Sequence, residues 1–314
     1  MVGTVTISIE LELGWGSHDL QEYDHLSADG RAEFDALSAF LKTLDNYRIP
    51  ITFDIVGHLL HEGCTGQHGG PYPDEWWKED PGTDQETDPL FYAPAFVDAI
   101  REASMEHEIG THTYSHVLCN QTSDAVLNHE LSVVEDLHSR TGLEQPRSLV
   151  TPRNQPPNPE ILTDHGIETL RVVSNELPDW MNQMGKIGTF VWHLFGYHPI
   201  ADLEVSDGLV KTPCTPTPSL TTPTLPAGQL PPHPAFQTIP RLVRRKLHRR
   251  HLRSTIDRVE ATNGHVHLWT HVYNMTNRDQ LSVVRSGLEY LADRRDAGGV
   301  QVLRMCELPE VVSA

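Results

Sequence analysis

The stretch HEIGTHTYSH, residues 107–116, places two histidines four residues apart at the end of a short apolar strand. His112 and His116 would share one face of a helix, as metal-binding pairs do, but here the context is a strand that runs into a loop. The chain has 19 histidines, so such a spacing also arises by chance. A metal site at this pair therefore requires further ligands from other elements.

The first strand supplies two acids that suit such a site. In ISIELELGWG, residues 7–16, Glu10 and Glu12 are two residues apart, so on a strand both carboxylates point to the same side. Two like charges are costly to bury in a strand that is otherwise as apolar as a core strand. Either the two acids lie on a solvated edge, or one ligates a cation while the other acts as a base.

Two later strands also end in polar side chains. In HVHLWTHVYN, residues 265–274, three histidines alternate onto one side, and His271 falls at the carboxyl end of the strand. SLVTPRNQ, residues 148–155, ends another strand with Arg153 and Asn154. In parallel α/β folds the chemistry gathers at the carboxyl ends of the strands, so these groups are candidates for one common site.

Strands and helices alternate along most of the chain. The predicted strands are 5–11, 48–57, 109–111, 148–151, 169–173, 264–271 and 299–305, and the predicted helices are 32–47, 94–105, 123–140, 159–165, 241–261 and 276–295. Such alternation favours parallel βαβ units in a barrel or an open sheet. No internal repeat or domain boundary is evident, so we expect one α/β domain over residues 1–314.

Two segments interrupt this alternation. Residues 63–89 form a long excursion rich in glycine, proline and acids, and loops of that length are usually functional or disordered. The paired Trp76 and Trp77 either pack within this excursion or cover a substrate. Residues 174–240 form an irregular insertion, whose Pro/Thr-rich run at 212–234 is not expected to contain a helix or a central strand.

Taken together, the motifs resemble the polysaccharide deacetylase family (carbohydrate esterase family four), metal-dependent hydrolases of N-acetylated sugars on a deformed (β/α)7 barrel. HEIGTHTYSH is similar to the family's HEIGSHTxxH metal motif, and ISIELELGWG resembles its first motif, a strand ending in paired acids. PITFDIVG resembles the second-strand pattern PATFFVVG, while TPRNQ and HLWTH stand where the family has its arginine and late histidine motifs. Glutamates replace the usual aspartates in the first motif.

The resemblance implies an enzyme that removes acetyl groups from an N-acetylated sugar or glycan precursor, breaking a non-peptide C–N bond. It implies that Glu12, His112 and His116 ligate one divalent ion, zinc first, with cobalt, nickel or manganese as alternatives. Glu10 is implied as the general base for the attacking water, and His271 as the acid that protonates the leaving amine. The roles of Glu10 and Glu12 follow their order in the motif and can be exchanged.

Three further residues are candidates for the same site. The resemblance implies that Arg153 orients or tunes the base carboxylate. Trp15, just past the two acids, either contacts a sugar ring or anchors the core. Asn154 is a candidate for substrate contact. The substrate itself is expected to be an N-acetylated sugar, with nucleotide- or lipid-linked forms as options.

The composition is acidic and poor in lysine. The formal charge of −19 arises with five lysines beside 19 arginines, and such surfaces are typical of proteins from salt-rich cytoplasm, where screening softens self-repulsion. An ordinary acidic enzyme is the alternative. The four cysteines lie scattered without a CxxC pair, so neither disulfides nor a cysteine zinc site is predicted. No leader or membrane-spanning run is evident, so we expect a cytoplasmic protein.

Two rival functions stay open. A catalytically inactive relative would bind sugar and metal without hydrolysing an amide. The basic helix at 241–258 could instead bind nucleic acid or an anionic membrane, although its basic residues could equally form a solvated face that offsets nearby acids. The negative charge of the whole chain disfavours nucleic acid as a partner.

Overall fold

The computed structural model describes residues 2–174, 198 and 200–313. The strands are β1 Gly3–Leu11, β2 Thr52–Ile55, β3 Glu108–Thr111, β4 Ser148–Val150, β5 Thr169–Val173, β6 Glu204–Ser206, β7 Leu209–Cys214, β8 His265–His271 and β9 Val300–Leu303. They join into one sheet with the order β6-β7-β5-β4-β3-β2-β1-β8, and β9 pairs with β1. Every pair is parallel except β6 with β7.

Helices follow most of the strands, as expected of βαβ units. They are α1 Arg31–Tyr47, α2 Pro94–Arg101, α3 Asp124–Thr141, α4 Pro159–Asp164, α5 Pro234–Gln237, α6 Arg241–Thr262, α7 Arg278–Asp296 and α8 Leu308–Ser313. The predicted helices agree with these bounds to within a few residues, with α2 ending earlier than predicted. In the described part of the chain, no helix is long and apolar enough to cross a membrane.

The sheet curls around a polar interior. The Arg171 guanidinium of β5 donates to the Ser8 hydroxyl of β1 at 3.1 Å, although these strands are not neighbours in the sheet. At the two ends of the sheet, the Thr212 hydroxyl of β7 lies 2.8 Å from His265 Nε2 of β8. These contacts bring distant strands together across the interior, so the carboxyl ends of the strands converge on one rim.

Apolar and polar residues alternate along β1 because its two faces lie in different surroundings. Ile7 and Ile9 are fully buried in the main apolar cluster, together with side chains of α1, α6 and α7. The intervening Thr6 and Ser8 face the interior, where their hydroxyls lie 2.8 and 2.9 Å from the two ring nitrogens of His267. Each buried aliphatic side chain stabilises the fold by about 1.5–3 kcal/mol, which fixes the register of β1. That register turns Glu10 inward.

Helix α1 is set by its own sequence signals. The Glu33 carboxylate accepts from the Ser27 backbone N–H at 3.0 Å, which satisfies a polar group just ahead of the helix. Leu37, Phe40 and Leu44 are fully buried and form the apolar stripe that packs against the sheet. The helix ends where Arg48 adopts a left-handed conformation, with φ of 53°.

The prediction for the insertion at 174–240 is partly wrong. The start of the Pro/Thr-rich run, Thr212 to Cys214, lies in β7, which is paired on both sides by β5 and β6. Pro213 is tolerated there although it lacks an N–H, because its flanking residues keep the ladder in register with β5. Residues 175–197 of the predicted insertion lie outside the described residues.

The excursion at 63–89 is closed at its base by an antiparallel bridge between Gly63 and Asp84. Trp77 packs within the excursion, as the first alternative predicted, with its ring 4.0 Å from that of His68 between centroids, and both tryptophans also contact the loop after β3. Trp77 contacts the Tyr114 ring at 5.7 Å between centroids, and Trp76 Nε1 donates to the Ser115 hydroxyl at 2.9 Å. The excursion therefore supports the loop that follows β3.

The basic helix α6 uses many of its charges within the molecule. Arg241 and Arg245 pair with Asp279 of α7 at 3.0 and 3.2 Å, and Arg249 donates to Ser282 at 3.0 Å. Arg244 is buried and donates to backbone carbonyl oxygens. These contacts support the interpretation of the helix as a face that offsets nearby acids.

Candidate active site

Glu10 and Glu12 meet at the carboxyl end of β1, inside the converging rim. In the sheet, Glu10 pairs with Asp54 of β2 on one side and His271 of β8 on the other. Glu12 follows directly after the strand, and both glutamates are buried, at 4% and 8% exposure. The alternative of a solvated edge is therefore wrong.

Arg171 is the partner of Glu10. Its Nη2 donates to Glu10 Oε1 at 2.5 Å and to Asn154 Oδ1 at 3.0 Å, and its guanidinium lies 4.4 Å from the centre of the Trp269 ring. Burial alone would raise the pKa of Glu10, but the charges of Arg171 and His271 outweigh it and lower the pKa to about 2. Glu10 is thus held ionised, with Oε1 fixed by Arg171 and Oε2 turned toward His271 and His112, at 3.4 and 3.6 Å from their Nε2 atoms.

Arg153 does not contact the base carboxylate, contrary to the expectation from its motif. It lies on the rim, where its Nη2 donates to Asp19 Oδ1 at 2.6 Å. Both Arg153 and Asn154 have left-handed backbone conformations, with φ of 51° and 55°, which turn the arginine side chain away from Glu10. The contact expected of Arg153 is made by Arg171 from the neighbouring strand β5.

Glu12 faces the histidine pair. Its Oε2 lies 3.5 Å from His112 Nε2 and 3.2 Å from His116 Nε2. Burial opposes ionisation, but the charge of His271 and contacts with His112 and His116 hold the pKa of Glu12 well below its usual range. Burial lowers the pKa of His116, so its imidazole tends to be neutral.

Gly16 leaves room for this carboxylate. A Cβ atom at Gly16 would lie 2.5 Å from Glu12 Oε1 and 2.8 Å from Glu12 Cγ, well inside contact distance. The glycine follows Glu12 in a 3-10 turn, Leu13–Ser17. The turn therefore folds back over the Glu12 side chain and needs a residue without a side chain at this position.

The loop between β3 and α3 that carries His116 is held by Glu130 of α3. Its Oε2 accepts from the backbone N–H groups of Tyr114 and Ser115, both at 2.8 Å, and its Oε1 accepts from the Ser115 hydroxyl at 2.6 Å. Within this loop Thr113 and His116 have positive φ, 63° and 62°, which is unusual for residues with side chains. The buried Glu130 thus fixes a strained backbone that aims His116.

His271 lies between the two glutamates. Its Nε2 is 3.4 Å from Glu10 Oε2 and 3.3 Å from Glu12 Oε1, and its ring stacks on Tyr273 at 4.8 Å. Burial alone would lower the pKa of His271, but the charges of Glu10 and Glu12 outweigh it and raise the pKa. The ring is therefore suited to hold a proton beside the two carboxylates.

The surroundings of His112 fit a cation. Its Nδ1 lies 2.7 Å from the Val150 carbonyl oxygen, so Nδ1 carries the proton and Nε2 keeps a lone pair. This buried Nε2 has no hydrogen-bond partner among the described residues, yet it faces a Glu12 oxygen. Glu12, His112 and His116 offer three ligand atoms within 4.8 Å of one another, a donor set that suits zinc.

The site opens into a cavity of about 390 Å³. Its walls include both glutamates and His271, and also Arg153, Asn154 and Tyr273. Asn154 thus lies where substrate contact was expected. The cavity is large enough for a sugar ring beside the acids.

Trp15 is not a wall of this cavity. The side chain is fully buried, its indole N–H donates to the Phe91 carbonyl at 3.1 Å, and its ring contacts His58 at 4.4 Å between centroids. The 3-10 turn after Glu12 rotates Trp15 into the core. The alternative of a core anchor is therefore the right one.

Two functional candidates, Arg171 and Tyr273, were missed from sequence, whereas Asp54 of the second strand was a candidate for lining the site without an assigned role. Arg171 interrupts the apolar strand TLRVV at an inward position, a signal of the same kind that singled out Glu10. Asp54 is buried next to Glu10 without a hydrogen-bond partner among the described residues, and burial raises its pKa well above the usual range. Tyr273 lies two residues after His271, and no sequence pattern marks it as a site residue.

Solved structures with the same fold cover nearly the whole chain. A protein of Mycobacterium smegmatis assigned as a polysaccharide deacetylase matches with a TM-score of 0.59 at 16% identity, over 99% of this chain and 90% of that one. A second, from Pseudomonas aeruginosa PAO1 and also assigned as a polysaccharide deacetylase, gives 0.52 at 9% identity over 96% and 87%. The Puue allantoinase gives 0.52 at 10% identity over the same shares, 96% and 87%. No curated protein matches the chain.

The fold is the deformed (β/α) barrel of these solved structures, with acids and histidines at its rim. Residues 29–167 match the family model for polysaccharide deacetylase, which confirms the resemblance drawn from the motifs. This matched segment contains His112, His116, Arg153 and Asn154, whereas Glu10, Arg171 and His271 lie outside it. Members of this family are hydrolases of the deacetylase type.

Proposed function

We propose that the protein is a metal-dependent deacetylase of an N-acetylated sugar or glycan precursor. The observation that carries the proposal is the different pairing of two buried glutamates at one strand end. Glu10 Oε1 is tied to Arg171 at 2.5 Å, whereas Glu12 Oε2 lies 3.2 Å from His116 Nε2; His112 Nε2 lies between the two acids, 3.6 Å from Glu10 Oε2 and 3.5 Å from Glu12 Oε2. This difference supports Glu12 as a ligand and Glu10 as the base.

The residues divide the chemistry of amide hydrolysis among them. Glu12, His112 and His116 would hold a divalent cation, zinc being the ion that this donor set favours. Such a cation, when bound, polarises the acetyl carbonyl and acidifies water. Glu10 takes the proton of the attacking water on Oε2, because Arg171 occupies Oε1.

His271 returns a proton to the departing amine. Its Nε2 lies within 3.4 Å of a Glu10 oxygen, so the same pair of residues can pass a proton from the base side to the leaving group. Arg153 and Asn154 line the cavity and orient the polar groups of a sugar. Nucleotide- or lipid-linked sugars remain candidate substrates, and the cytoplasm is the proposed location.

The test is acetate release from N-acetylated mono- and oligosaccharides and nucleotide-linked sugars, with zinc, cobalt, nickel or manganese. We expect acetate release that His116→Ala abolishes and His233→Ala leaves unchanged, since His233 is exposed just before α5. Allantoin belongs in the panel because one structure with this fold is an allantoinase. Sugar and metal binding without acetate release, under every metal, would identify an inactive relative instead.

A further inference from the structure

A second group of metal-ligating side chains lies outside the candidate active site, at the base of the excursion. It consists of His58 after β2, Cys64 and His68 in the excursion, and Asp80 near its end. The four ligand atoms all lie within 4.8 Å of one another. The side chains of His58 and Asp80 are fully buried, and that of His68 is 11% exposed. Sequence spacing gave no sign of this group, because the chain has no CxxC pair.

The distances among these atoms are close to those of a tetrahedral site. With metal–nitrogen and metal–oxygen bonds near 2.0 Å and metal–sulfur near 2.3 Å, tetrahedral ligand atoms lie about 3.3–3.6 Å apart. His58 Nε2 lies 3.4 Å from both His68 Nε2 and Asp80 Oδ2. Cys64 Sγ lies 3.2 Å from Asp80 Oδ2, 3.5 Å from His68 Nε2 and 3.9 Å from His58 Nε2. The remaining pair, His68 Nε2 and Asp80 Oδ2, is 2.5 Å apart, as for a shared proton.

Outer contacts of the two histidines turn their Nε2 atoms toward the centre of the group. His58 Nδ1 lies 3.3 Å from the Phe91 carbonyl oxygen, which can only accept, so the proton of a neutral ring is on Nδ1. His68 Nδ1 lies 3.3 Å from the Tyr114 hydroxyl. Histidine ligands of metals are commonly held in this way by a hydrogen bond at the other ring nitrogen.

The acid and the thiol are held in a corresponding manner. Asp80 Oδ1 accepts from the Gly82 N–H at 3.0 Å and from the Tyr92 hydroxyl, which leaves Oδ2 to face the other three groups. The Gly66 N–H donates to Cys64 Sγ at 3.2 Å, a contact that stabilises a thiolate. Each of the four residues therefore presents one atom inward.

We propose that His58, Cys64, His68 and Asp80 bind a structural zinc ion that is separate from the catalytic cation. One sulfur, two nitrogens and one carboxylate oxygen fill a tetrahedral sphere and leave no open position, as in structural sites. On binding, the ion displaces the Cys64 thiol proton and the proton shared by His68 and Asp80, and both go to solvent.

The ion ties the excursion to the barrel. His58 belongs to the barrel, whereas Cys64, His68 and Asp80 belong to the excursion, so one ion closes this loop at its base. The same excursion supports the His116 loop through Trp76 and Ser115. A metal ion at this second site therefore makes the support of the His116 loop in the candidate active site more rigid.

Cobalt titration of metal-stripped protein tests the proposal, because only the second site offers a thiolate. We expect two equivalents of cobalt per chain, one of them with the near-ultraviolet sulfur-to-cobalt charge-transfer absorption. Cys64→Ser should remove that absorption and one equivalent, while Cys119→Ser, a control at a buried thiol elsewhere, should keep both. His116→Ala should remove the other equivalent and keep the absorption. A wild-type titration that saturates without the absorption would overturn the proposal.

A second measurement covers the case in which Cys64→Ser does not fold. Alkylation of the wild-type chain, mapped to individual cysteines by mass spectrometry, should modify Cys64 after metal stripping and spare it after zinc loading. Equal modification in both states would contradict the proposal. Neither measurement depends on acetate release, so the two proposals can fail separately.

Discussion

Glu10 and Glu12 are two residues apart and alike in chemistry, yet Arg171 pairs with the first and His116 with the second, and we propose different roles for them. Glu10→Gln should retain the metal while hydrolysis falls by about 10²–10⁴-fold, because the amide keeps the shape of the side chain but cannot take a proton. Glu12→Gln should weaken metal binding itself, since a neutral amide oxygen is a poorer ligand. His271→Ala should retain the metal and turn over slowly. The measurement is metal titration beside acetate release for the three variants.

Two results would change this assignment. Loss of the metal in Glu10→Gln together with its retention in Glu12→Gln would exchange the two roles. Full activity in all three variants would place the catalytic groups elsewhere. A melting curve for Glu10→Gln is the necessary control, because removing one charge of a buried pair leaves Arg171 uncompensated and costs up to about 3–5 kcal/mol.

Gly16 gives a prediction that needs no change in any charged group. Gly16→Ala places a methyl group against the Glu12 side chain, so the carboxylate must move away from the histidine pair. A 1 Å displacement of a catalytic group costs up to about 10²-fold in rate. We expect weaker metal binding and slower acetate release with little change in melting temperature. Gly69→Ala is the matched control, since nothing lies within 4 Å of a Cβ there; equal activity of the two variants would refute the steric argument.

At the scale of elements, α3 acts on the site through Glu130. Glu130→Ala leaves the Tyr114 and Ser115 N–H groups without their acceptor, at a cost of about 1–3 kcal/mol for each buried group. The loop should then relax from its positive φ at His116 and lose metal affinity. Glu130→Gln, which retains one acceptor oxygen, should restore part of it. Metal affinity is the deciding measurement, because a merely structural role of Glu130 would lower stability and leave the metal affinity unchanged.

The elements that could be predicted are those whose signal is local. The strand β1 follows from its two-residue periodicity, and α1 and α3 follow from their apolar stripes. The sequence also predicts that Glu10, Glu12, His112 and His116 lie together at the strand ends, and the structure brings their side chains together there. The contact of Arg171 with Glu10 could not be predicted, because Glu10 lies across the barrel interior, 161 residues away in sequence. The motif instead pointed to Arg153, which a left-handed turn directs elsewhere. Periodicity assigns a side chain to a face but not to a partner across the fold.

At the scale of the whole molecule, the formal charge of −19 predicts how stability responds to salt. We expect the melting temperature and activity to rise from low to molar salt, because screening relieves repulsion among the excess carboxylates. Sucrose at matched osmolality is the control, since it is excluded from the surface without screening charge. A melting temperature that stays flat or falls with salt would remove the halophilic interpretation and leave the catalytic proposal intact.

The pairing of β1 also has a consequence for biosynthesis. Strand β1 leaves the ribosome long before its partner, because β1 pairs with β8 along Thr4 to Glu10 and β8 is made only after residue 264. Until then a nascent β1 exposes an apolar edge, which is a hazard for misassembly. Ribosome-bound chains arrested before residue 264 should therefore be digested by protease at β1, whereas chains arrested after β9 should resist. Glu10, the proposed base, is therefore translated early, and His271, the proposed acid, joins it only after β8 has been made.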